Sequence, residues 1–314
     1  MTRPHRIAAL ALTALGACRG APAAVRPEPV RNATPPARVV AESAPADWRE
    51  VPADELLVME LGDGGRVVIQ LAPAFAPVHV ANVRALARGG GWARASVYRV
   101  QDNYVTQWGN GGGGGGAPAA PPAGVVEQPP AEFERTLDGV APRPLAYADP
   151  YAAATGHWEG WPVAYDPRAR AAWIPHCYGT VAAARGNTPS TGSGSELYAV
   201  IGHAPRQLDR NLAVVGRVLD GMAHLSARPR GSGNLGFYDR ARGETPQPIV
   251  RVRLASDVPE AERPRYEVMR TDGAAFAAYL AGSANRHDAF FAQPAGGVDV
   301  CNARVPTRPR PAAR

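Results

Sequence analysis

Residues capable of covalent or metal chemistry occur along the chain, but their spacing assembles neither kind of site. The seven histidines are dispersed, and His176-Cys177 has no second ligand pair at the spacing used by zinc sites. Ser190, Ser193 and Ser195 lie in a polar stretch without the strand-turn-helix context of a nucleophilic serine. The glycine-rich stretches lack the Lys-Ser/Thr that follows a phosphate-binding loop. The sequence therefore predicts no metal and no cofactor.

An arginine and a glutamine on two short apolar stretches offer a different chemistry. Arg99 lies in Val-Tyr-Arg-Val (97–100), and Gln107 lies in Tyr-Val-Thr-Gln-Trp (104–108). A guanidinium carries several N–H donors in a rigid plane, which suits it to binding a polar group without covalent chemistry. Taken alone, the pattern is equally that of a solvated arginine on a strand, as holds for most of the 34 basic residues.

Blocks around these residues resemble the cyclophilin family of peptidyl-prolyl cis-trans isomerases, and they occur in the family's order. Residues 97–109 (VYRVQDNYVTQWG) resemble the family segment F-H-R-V-I-P-x-F-x-I-Q-G-G, and residues 194–199 (GSELYA) stand where the family has N-S-Q-F-F-I. Residues 208–222 (LDRNLAVVGRVLDGM) resemble L-D-G-x-x-x-V-F-G-x-V-x-x-G-M. The resemblance implies a mainly β fold, a closed antiparallel eight-stranded cyclophilin-like β-barrel with two capping helices.

The resemblance also implies an activity and the residues that perform it. Rotating an X-Pro bond breaks amide resonance against a barrier of about 18–20 kcal/mol, and it requires no nucleophile, metal or proton transfer. The implied catalytic residue is Arg99, as a donor that stabilises the twisted amide beside an apolar proline pocket. The implied substrate-binding residues are Tyr104, Val105, Gln107, Ala184, Arg185, Glu196, Tyr198 and Leu208.

Four positions depart from the family pattern and leave other functions open. Tyr98 replaces the family's His, Glu196 its Gln, Gln207 a common Trp, and Arg185 a loop Asn. Glu196 can place a carboxylate near Arg99 and compete for its guanidinium. The alternative to an isomerase is a prolyl-peptide-binding chaperone or interaction module with weak or no isomerase activity. A structural protein of the cell envelope is a third hypothesis, which rests on composition alone.

Hydrophobic patterning predicts the elements that must position these residues. Apolar runs at 56–61 and 66–71 flank Gly-Asp-Gly-Gly and predict a β-hairpin. Pro77 begins a predicted helix that ends at Arg88, before three glycines. A second, short helix is predicted at 220–227. Further strands are predicted at 97–100, 104–108, 179–184, 197–202, 212–218 and 249–254.

Three segments lie outside the barrel pattern. Residues 19–53 are rich in Pro, Ala and Arg and are predicted to be a disordered tether before a domain at 54–256. Residues 111–175 are predicted to be an insertion in that domain, flexible at 111–130 and partly ordered, packed on the domain, at 131–175. Residues 257–314 are predicted to be a C-terminal extension with one helix at 273–284.

The N-terminal residues resemble an export signal. A short basic region precedes an apolar run at 7–17, which is too short to span a bilayer. Leu-Gly-Ala-Cys at 15–18 resembles a bacterial lipobox, which implies a signal peptide at 1–18 and lipidation of Cys18. The alternative is cleavage after Ala23 or Ala24. We therefore expect a lipoprotein on the periplasmic side of a bacterial cell envelope, anchored to the outer membrane.

The charge and the cysteine content limit which classes of partner and which cellular compartment are expected for this protein. The formal net charge is +6, but all 34 basic residues are Arg and they are scattered, which argues against nucleic-acid binding. The expected partners are X-Pro segments of unfolded or exported proteins, with membrane contact only through the lipid, and the chain is expected to be a monomer. Cys177 and Cys301 form an even pair in an oxidising compartment, which predicts a disulfide. Two buried free thiols are the alternative.

Overall fold

The computed structural model describes residues 33–111 and 120–310, which form sixteen strands and four α-helices. None of these described helices has the length and apolar character needed to cross a membrane. The strands are β1 (Trp48–Glu50), β2 (Leu56–Leu61), β3 (Arg66–Leu71), β4 (Ser96–Val100), β5 (Val105–Gly109), β6 (Arg135–Thr136), β7 (Arg143–Pro144), β8 (Ala154–Trp158), β9 (Trp161–Asp166), β10 (Ala171–Trp173), β11 (Thr180–Ala183), β12 (Leu197–Val200), β13 (Val214–Asp220), β14 (Gln247–Leu254), β15 (Tyr266–Met269) and β16 (Thr307–Pro309). The α-helices are α1 (Pro36–Glu42), α2 (Pro77–Arg88), α3 (Met222–Ser226) and α4 (Ala274–Ala284).

Eight antiparallel strands close into a barrel in the order β11-β12-β5-β4-β14-β2-β3-β13, which confirms the predicted fold. The hairpin β2–β3 and helix α2 have the bounds that the sequence predicted. Each of these elements carries its own strong local signal, a Gly/Asp turn for the hairpin and Pro77 at the helix start. Val80, Val83 and Leu86 of α2 are buried in the barrel core, so this helix covers one region of the interior.

The insertion forms a second sheet that packs on the outer face of the barrel. Its five strands have the order β6-β10-β9-β8-β7. Trp161, Val163 and Ile174 from this sheet share an apolar cluster with outward-facing barrel residues such as Val105 and Val200. This agrees with the expectation that residues 131–175 are packed on the domain.

The second part of the stretch predicted to be flexible, residues 120–130, is ordered in the structure. Residues 112–119 of the predicted flexible stretch lie outside the described residues, but residues 120–130 are held against α2. The Asn82 side chain donates to the carbonyl of Val126 at 2.7 Å and accepts from its amide at 2.8 Å. Two residues beyond the stretch, Glu132 accepts from the amides of Val78 and His79 at 2.9 Å, at the N-terminus of α2. The segment is held by hydrogen bonds to a helix that is distant in sequence, which local Gly and Pro content does not reveal.

The prediction of a disordered tether over residues 19–53 is wrong for its second part. Residues 19–32, together with the predicted signal peptide and Cys18, lie outside the described residues. From residue 33 onward the chain is ordered, because α1 packs on α4 and β1 pairs with β15. Trp48 is buried with Phe276 of the C-terminal extension. The extension is therefore more than one helix, since β15 and β16 complete a three-stranded sheet with β1.

A disulfide joins the insertion to the C-terminal extension. Cys177 follows the five-stranded sheet, and Cys301 precedes β16; the two are bonded across a sequence separation of 124 residues. Both sulfur atoms belong to segments that pack on the barrel rather than to its strands. The bond therefore restrains the two added segments relative to each other.

Removing this disulfide should destabilise the protein substantially. A crosslink that closes so long a loop restricts the unfolded chain, and its loss typically costs about 2–5 kcal/mol. We expect the double variant Cys177→Ser, Cys301→Ser to lose stability on that scale in urea unfolding followed by circular dichroism. A reducing agent should lower the stability of the parent protein and leave the double variant unchanged. If reduction shifts neither protein, the two thiols are not bonded in solution.

Candidate active site

Three of the candidate residues, Tyr198, Gln107 and Arg99, lie in one row across neighbouring barrel strands. Ala182 of β11 pairs with Tyr198 of β12, Tyr198 pairs with Gln107 of β5, and Gln107 pairs with Arg99 of β4. Beyond Arg99, a single bridge extends the row to Phe237. Adjacent strands lie about 4.7–4.9 Å apart, so pairing brings together side chains that are far apart in sequence.

A β-bulge in β4 places two consecutive side chains on the outer face. Val97 pairs with Trp108 and Arg99 pairs with Gln107, so the register shifts between them and Tyr98 is the additional residue. Val97 and Val100 point into the barrel core. Without the bulge, strict alternation would put Tyr98 and Arg99 on opposite faces. With it, both contact Gln107.

The guanidinium of Arg99 is held by three acceptors and lies close to two aromatic rings. Nη1 donates to Gln107 Oε1 at 2.9 Å, Nη2 donates to Gln101 Oε1 at 2.6 Å, and Nε donates to the carbonyl of Leu235 at 2.8 Å. The Arg99 Cζ atom lies 5.3 Å from the ring centre of Phe237 and 5.8 Å from that of Tyr104. Half-burial lowers the pKa of Arg99. Its remaining N–H groups are available to a ligand.

A chain of hydrogen bonds extends from Arg99 through Gln107 to Tyr98 and Glu196. Gln107 Nε2 donates to the Tyr98 hydroxyl at 2.6 Å, and that hydroxyl donates to Glu196 Oε2 at 2.7 Å. Burial and the nearby carboxylate raise the pKa of Tyr98. The expectation that Glu196 competes for Arg99 is therefore wrong: in the described part of the chain, no hydrogen bond or ion pair joins them. Tyr98 and Gln107 stand between the two charges.

The close approach of Glu196 to the backbone depends on Gly109 at the end of β5. Gly109 has a φ of 153°, and a Cβ added there would lie 2.0 Å from Glu196 Oε2. The carboxylate also accepts from the amide of Gly111 at 2.9 Å. A larger residue at this position would require the Glu196 carboxylate to move away from the backbone.

The apolar residues of the predicted proline pocket are brought together in one cluster. Tyr104, Val105, Ala184, Tyr198 and Leu208 all belong to it. Their exposure differs, because Val105 and Tyr198 are only 2% and 4% exposed while the other three are partly exposed. Val105 and Tyr198 therefore form the floor of the cluster, and Tyr104, Ala184 and Leu208 form its accessible wall.

A buried polar network fixes Tyr198 from below. His176 Nδ1 lies 3.1 Å from Asp209 Oδ1 and, as the donor, leaves His176 Nε2 to accept the Tyr198 hydroxyl at 2.9 Å. Asp209 also accepts from Arg206 Nε at 2.6 Å, and Arg206 forms a two-bond contact with Asp149 at 2.8 and 3.0 Å. Burial opposes ionisation of Asp209, but the hydrogen bond from His176 and the charge of Arg206 hold its pKa below the ordinary value.

Two of the departing residues lie at the rim of the site. Arg185 donates to the carbonyl of Asn211 at 3.0 Å, and its guanidinium lies 5.5 Å from the ring centre of Phe133 in the insertion. Gln207 is exposed. Phe133 and Arg185 therefore form a contact between the insertion and the barrel loop beside the apolar cluster.

Several residues that contact Arg99 were not found by sequence reasoning. Gln101, Leu235 and Phe237 all touch its guanidinium, and Phe237 stacks on Tyr98 at 5.9 Å between ring centres. Phe237 is 41% exposed and Leu235 is 56% exposed. Both lie in an irregular loop whose Gly-rich sequence has no periodicity. Only an aromatic residue in an otherwise polar loop could have drawn attention to Phe237.

The arrangement can bind an amide beside an apolar ring and polarise it. A fixed guanidinium supplies hydrogen-bond donors without reorganisation, which is the basis of electrostatic stabilisation of a transition state. Among the described residues, no group of three or more His, Cys, Asp or Glu side chains is arranged to hold a metal ion.

Comparisons with known proteins place this geometry in a family. Residues 56–252 match the family model described as cyclophilin type peptidyl-prolyl cis-trans isomerase/CLD. The chain is similar to the cyclophilin AquaCyp293 from Hirschia baltica at 26% sequence identity, covering 86% of this chain and 96% of that chain, with a TM-score of 0.65. It is also similar to a cyclophilin type peptidyl-prolyl cis-trans isomerase from Cryptosporidium parvum at 13% identity, covering 63% and 98%, with a TM-score of 0.39. A search of curated proteins by sequence found no match.

Replacing Glu196 by glutamine should change how stability depends on pH. Burial raises the pKa of Glu196, against the hydrogen bonds from Tyr98 and the Gly111 amide, which favour its charged form. A carboxyl with a higher pKa in the folded state makes folding less favourable as pH rises from the ordinary glutamate value through the folded-state pKa. Glu196→Gln removes this slope. The stability of the variant relative to the parent should therefore increase over that range and level off above it.

Urea unfolding between about pH 4 and pH 8, spanning the ordinary glutamate value, measures this difference. Glu260→Gln on the exposed surface controls for the loss of one negative charge. A difference between Glu196→Gln and the parent that is constant across the range would contradict the assigned environment of Glu196.

Proposed function

Because this chain belongs to the cyclophilin-type peptidyl-prolyl cis-trans isomerase family, we propose that it catalyses the isomerisation of X-Pro bonds, with Arg99 as the catalytic residue. The observation that carries the proposal is the cross-strand row in which the guanidinium of Arg99, fixed by Gln107, lies beside the cluster containing Tyr104 and Leu208. The row and the adjacent cluster together offer the two requirements of the reaction, a donor and an apolar surface for the proline ring.

The proposed mechanism is non-covalent. The proline ring packs on the accessible wall of the cluster, which is formed by Tyr104, Ala184 and Leu208. As the amide twists, its nitrogen loses conjugation with the carbonyl and regains a lone pair. An N–H of Arg99 that is not used by its three protein acceptors donates to the electron density that develops there. Gln107 and Gln101 hold the guanidinium in place, so little reorganisation is needed.

A second candidate function is binding of prolyl peptides without useful turnover. The burial of Val105 and Tyr198 favours it, because the floor of the cluster offers little open surface and a proline ring reaches only the wall. A shallow site binds the ring in the ground state but restrains it less as the bond rotates. The two functions differ in one measurable property, the rate of isomerisation at saturating peptide.

We propose further that the protein acts on exported or unfolded proteins in the bacterial cell envelope, held on the periplasmic face of the outer membrane by a lipid on Cys18. The support is the Leu-Gly-Ala-Cys sequence after an apolar run and the disulfide between Cys177 and Cys301, a bond favoured in oxidising compartments. An isomerase is useful there because uncatalysed prolyl isomerisation takes tens of seconds and delays folding.

Arg99→Ala should lower kcat/KM for an X-Pro tetrapeptide at least tenfold, which corresponds to about 1.4 kcal/mol of transition-state stabilisation. The kcat/KM of Arg99→Lys should lie between those of the parent and of Arg99→Ala, because lysine keeps the charge but loses the planar donors. A protease-coupled assay measures the rates, and thermal unfolding monitors the fold. Arg251→Ala, on strand β14, is the matched control, since it also removes a partly exposed barrel arginine.

Two results would overturn parts of this proposal. Parent-like turnover by a folded Arg99→Ala variant would remove Arg99 from the mechanism. A parent protein that binds Ala-Pro peptides in NMR titrations without accelerating their isomerisation would establish the second candidate instead.

Cys18→Ala should move the protein from the membrane fraction to the soluble periplasmic fraction. Multiple acyl chains on Cys18 would bury many CH₂ groups at about 0.8 kcal/mol each, which is enough for stable anchoring. Fractionation of cells followed by immunoblotting measures the distribution, and mass spectrometry identifies the mature N-terminus. An unlipidated N-terminus at Ala24 or Val25 in the parent would contradict the lipid anchor.

A further inference from the structure

A cavity of about 220 Å³ lies away from the row that contains Arg99. It is bounded by β13 of the barrel, the five-stranded sheet of the insertion and the segment that includes Cys301 and Thr307. The barrel alone does not form it, because two of its three walls come from the insertion and the C-terminal extension. The described residues that line it include two arginines and no aspartate or glutamate.

The first of these cations, Arg217, is half-buried, and none of the residues that the structure describes forms an ion pair with it. Its Nε and Nη2 donate to the same oxygen, Gln70 Oε1, at 3.1 and 2.9 Å. Its Cζ atom lies 4.5 Å from the ring centre of Trp161. Burial, with a smaller contribution from Arg49, lowers the pKa of Arg217 to about 9. At neutral pH the side chain therefore remains charged, with N–H groups that no described acceptor uses.

The polar surroundings of Arg217 have a surplus of donors. Gln70 Nε2 is buried and has no hydrogen-bond partner among the described residues. A charge that is partly withdrawn from water without a counter-ion is disfavoured, and a buried donor without an acceptor, such as Gln70 Nε2, adds to that cost. A group that brings negative charge and acceptor oxygens to this cavity would relieve the imbalance at Arg217.

The second cation, Arg304, stands at the same cavity from the C-terminal extension. Its Cζ atom lies 5.0 Å from the ring centre of Tyr178, and within residues 33–111 and 120–310 it makes no hydrogen bond or ion pair. The side chain is exposed, so it can move to meet a ligand at the entrance. Two guanidinium groups from different segments thus face one space.

Much of the rest of the lining is apolar, although Tyr178, Thr180 and Thr307 add hydroxyl groups. Ile174, Val218, Met222, Val300 and Val305 contribute aliphatic or thioether surface. The volume lies below the range of about 300–1,000 Å³ that is typical of sites for drug-sized ligands. The size fits a small molecule with one anionic end and a short apolar body.

We propose that this cavity is a binding site for a small carboxylic acid with a short apolar chain, whose carboxylate pairs with Arg217 and Arg304. The carboxylate accepts from the free N–H groups of Arg217 in the planar, two-bond geometry that guanidinium favours. The chain packs on Ile174, Met222 and Val305. The cavity shares Trp161 and Ile174 with the apolar cluster, but none of the residues of the predicted proline pocket lines it. Binding there does not require isomerase activity.

Titration with hexanoate, followed by isothermal calorimetry and by the shift in melting temperature, tests the site. Hexanoate should bind and raise the melting temperature of the purified protein. Hexanol, which has the apolar body without the charge, and acetate, which has the charge without the body, should each bind at least tenfold more weakly.

Two kinds of variant test the contribution of the arginine charges and the contribution of the cavity volume to binding. Arg217→Met should weaken hexanoate binding at least tenfold, and Arg304→Gln about threefold, as expected for loss of a half-buried and an exposed charge-assisted contact. Arg168→Gln, an exposed arginine that does not line the cavity, is the matched control and should bind as the parent does. Met222→Trp should abolish binding by filling the cavity while leaving both arginines in place. It therefore tests the site even if Arg217→Met fails to fold.

Equal affinity for hexanoate and hexanol would overturn the proposal, since the charge would then play no part. Parent-like hexanoate binding by a folded Arg217→Met or by Met222→Trp would also overturn it, because the ligand would lie elsewhere.

Discussion

The pairing register of four barrel strands is the constraint on which the site depends. Val181, Ala183, Leu197, Ala199, Val97 and Trp108 point into the core, and this fixes which residues of β11, β12, β4 and β5 face outward. A slip of one residue in any of these strands would exchange the two faces, burying polar side chains and exposing the core. In the pairings of these four strands with one another, as far as the structure describes them, the one shift in register is at Tyr98, and it allows Tyr98 and Arg99 to share a face. The packing of the barrel interior thus determines the positions of the side chains in the candidate site.

The buried network around Asp209 connects the insertion to the candidate site by hydrogen bonds. Trp173 and His176 come from the end of the inserted sheet, whereas Arg206 and Asp209 come from the barrel loop after β12. Charged groups are costly to bury, and removing one member of such a set leaves its partners unpaired. The network therefore selects one position for the insertion, in which His176 holds Tyr198 beneath the apolar cluster. A change in the inserted sheet would act on the floor of the cluster without touching its accessible wall.

Local patterns in the sequence predicted those parts of the structure that local patterns determine. The hairpin and α2 were predicted to the residue, because turn glycines, a helix-initiating proline and periodic apolar residues all lie within each element. Arg99 and Gln107 could be named as candidates because the motifs around them are specific, and the structure joins them by a hydrogen bond. The order of residues 33–53 could not be predicted, because the segment alone shows no apolar periodicity. Trp48 is buried by Phe276, which is remote in sequence. Phe237 and the separation of Glu196 from Arg99 likewise follow from distances between strands and loops that no local pattern encodes.

The three-stranded sheet has a consequence for the order in which the chain can fold as it emerges with its N-terminus first. Strand β1 precedes the barrel in sequence, but its partner β15 and the outer strand β16 follow it. All eight barrel strands have been made once Leu254 is reached, so the barrel can close while β1 and Trp48 still have no partner. The early segment must then remain unpaired until the late one arrives, a long-range contact of the kind that forms slowly. A chain truncated after Leu254 would leave β1 and Trp48 without β15 and Phe276, and Trp48 would then be exposed to proteases and chaperones.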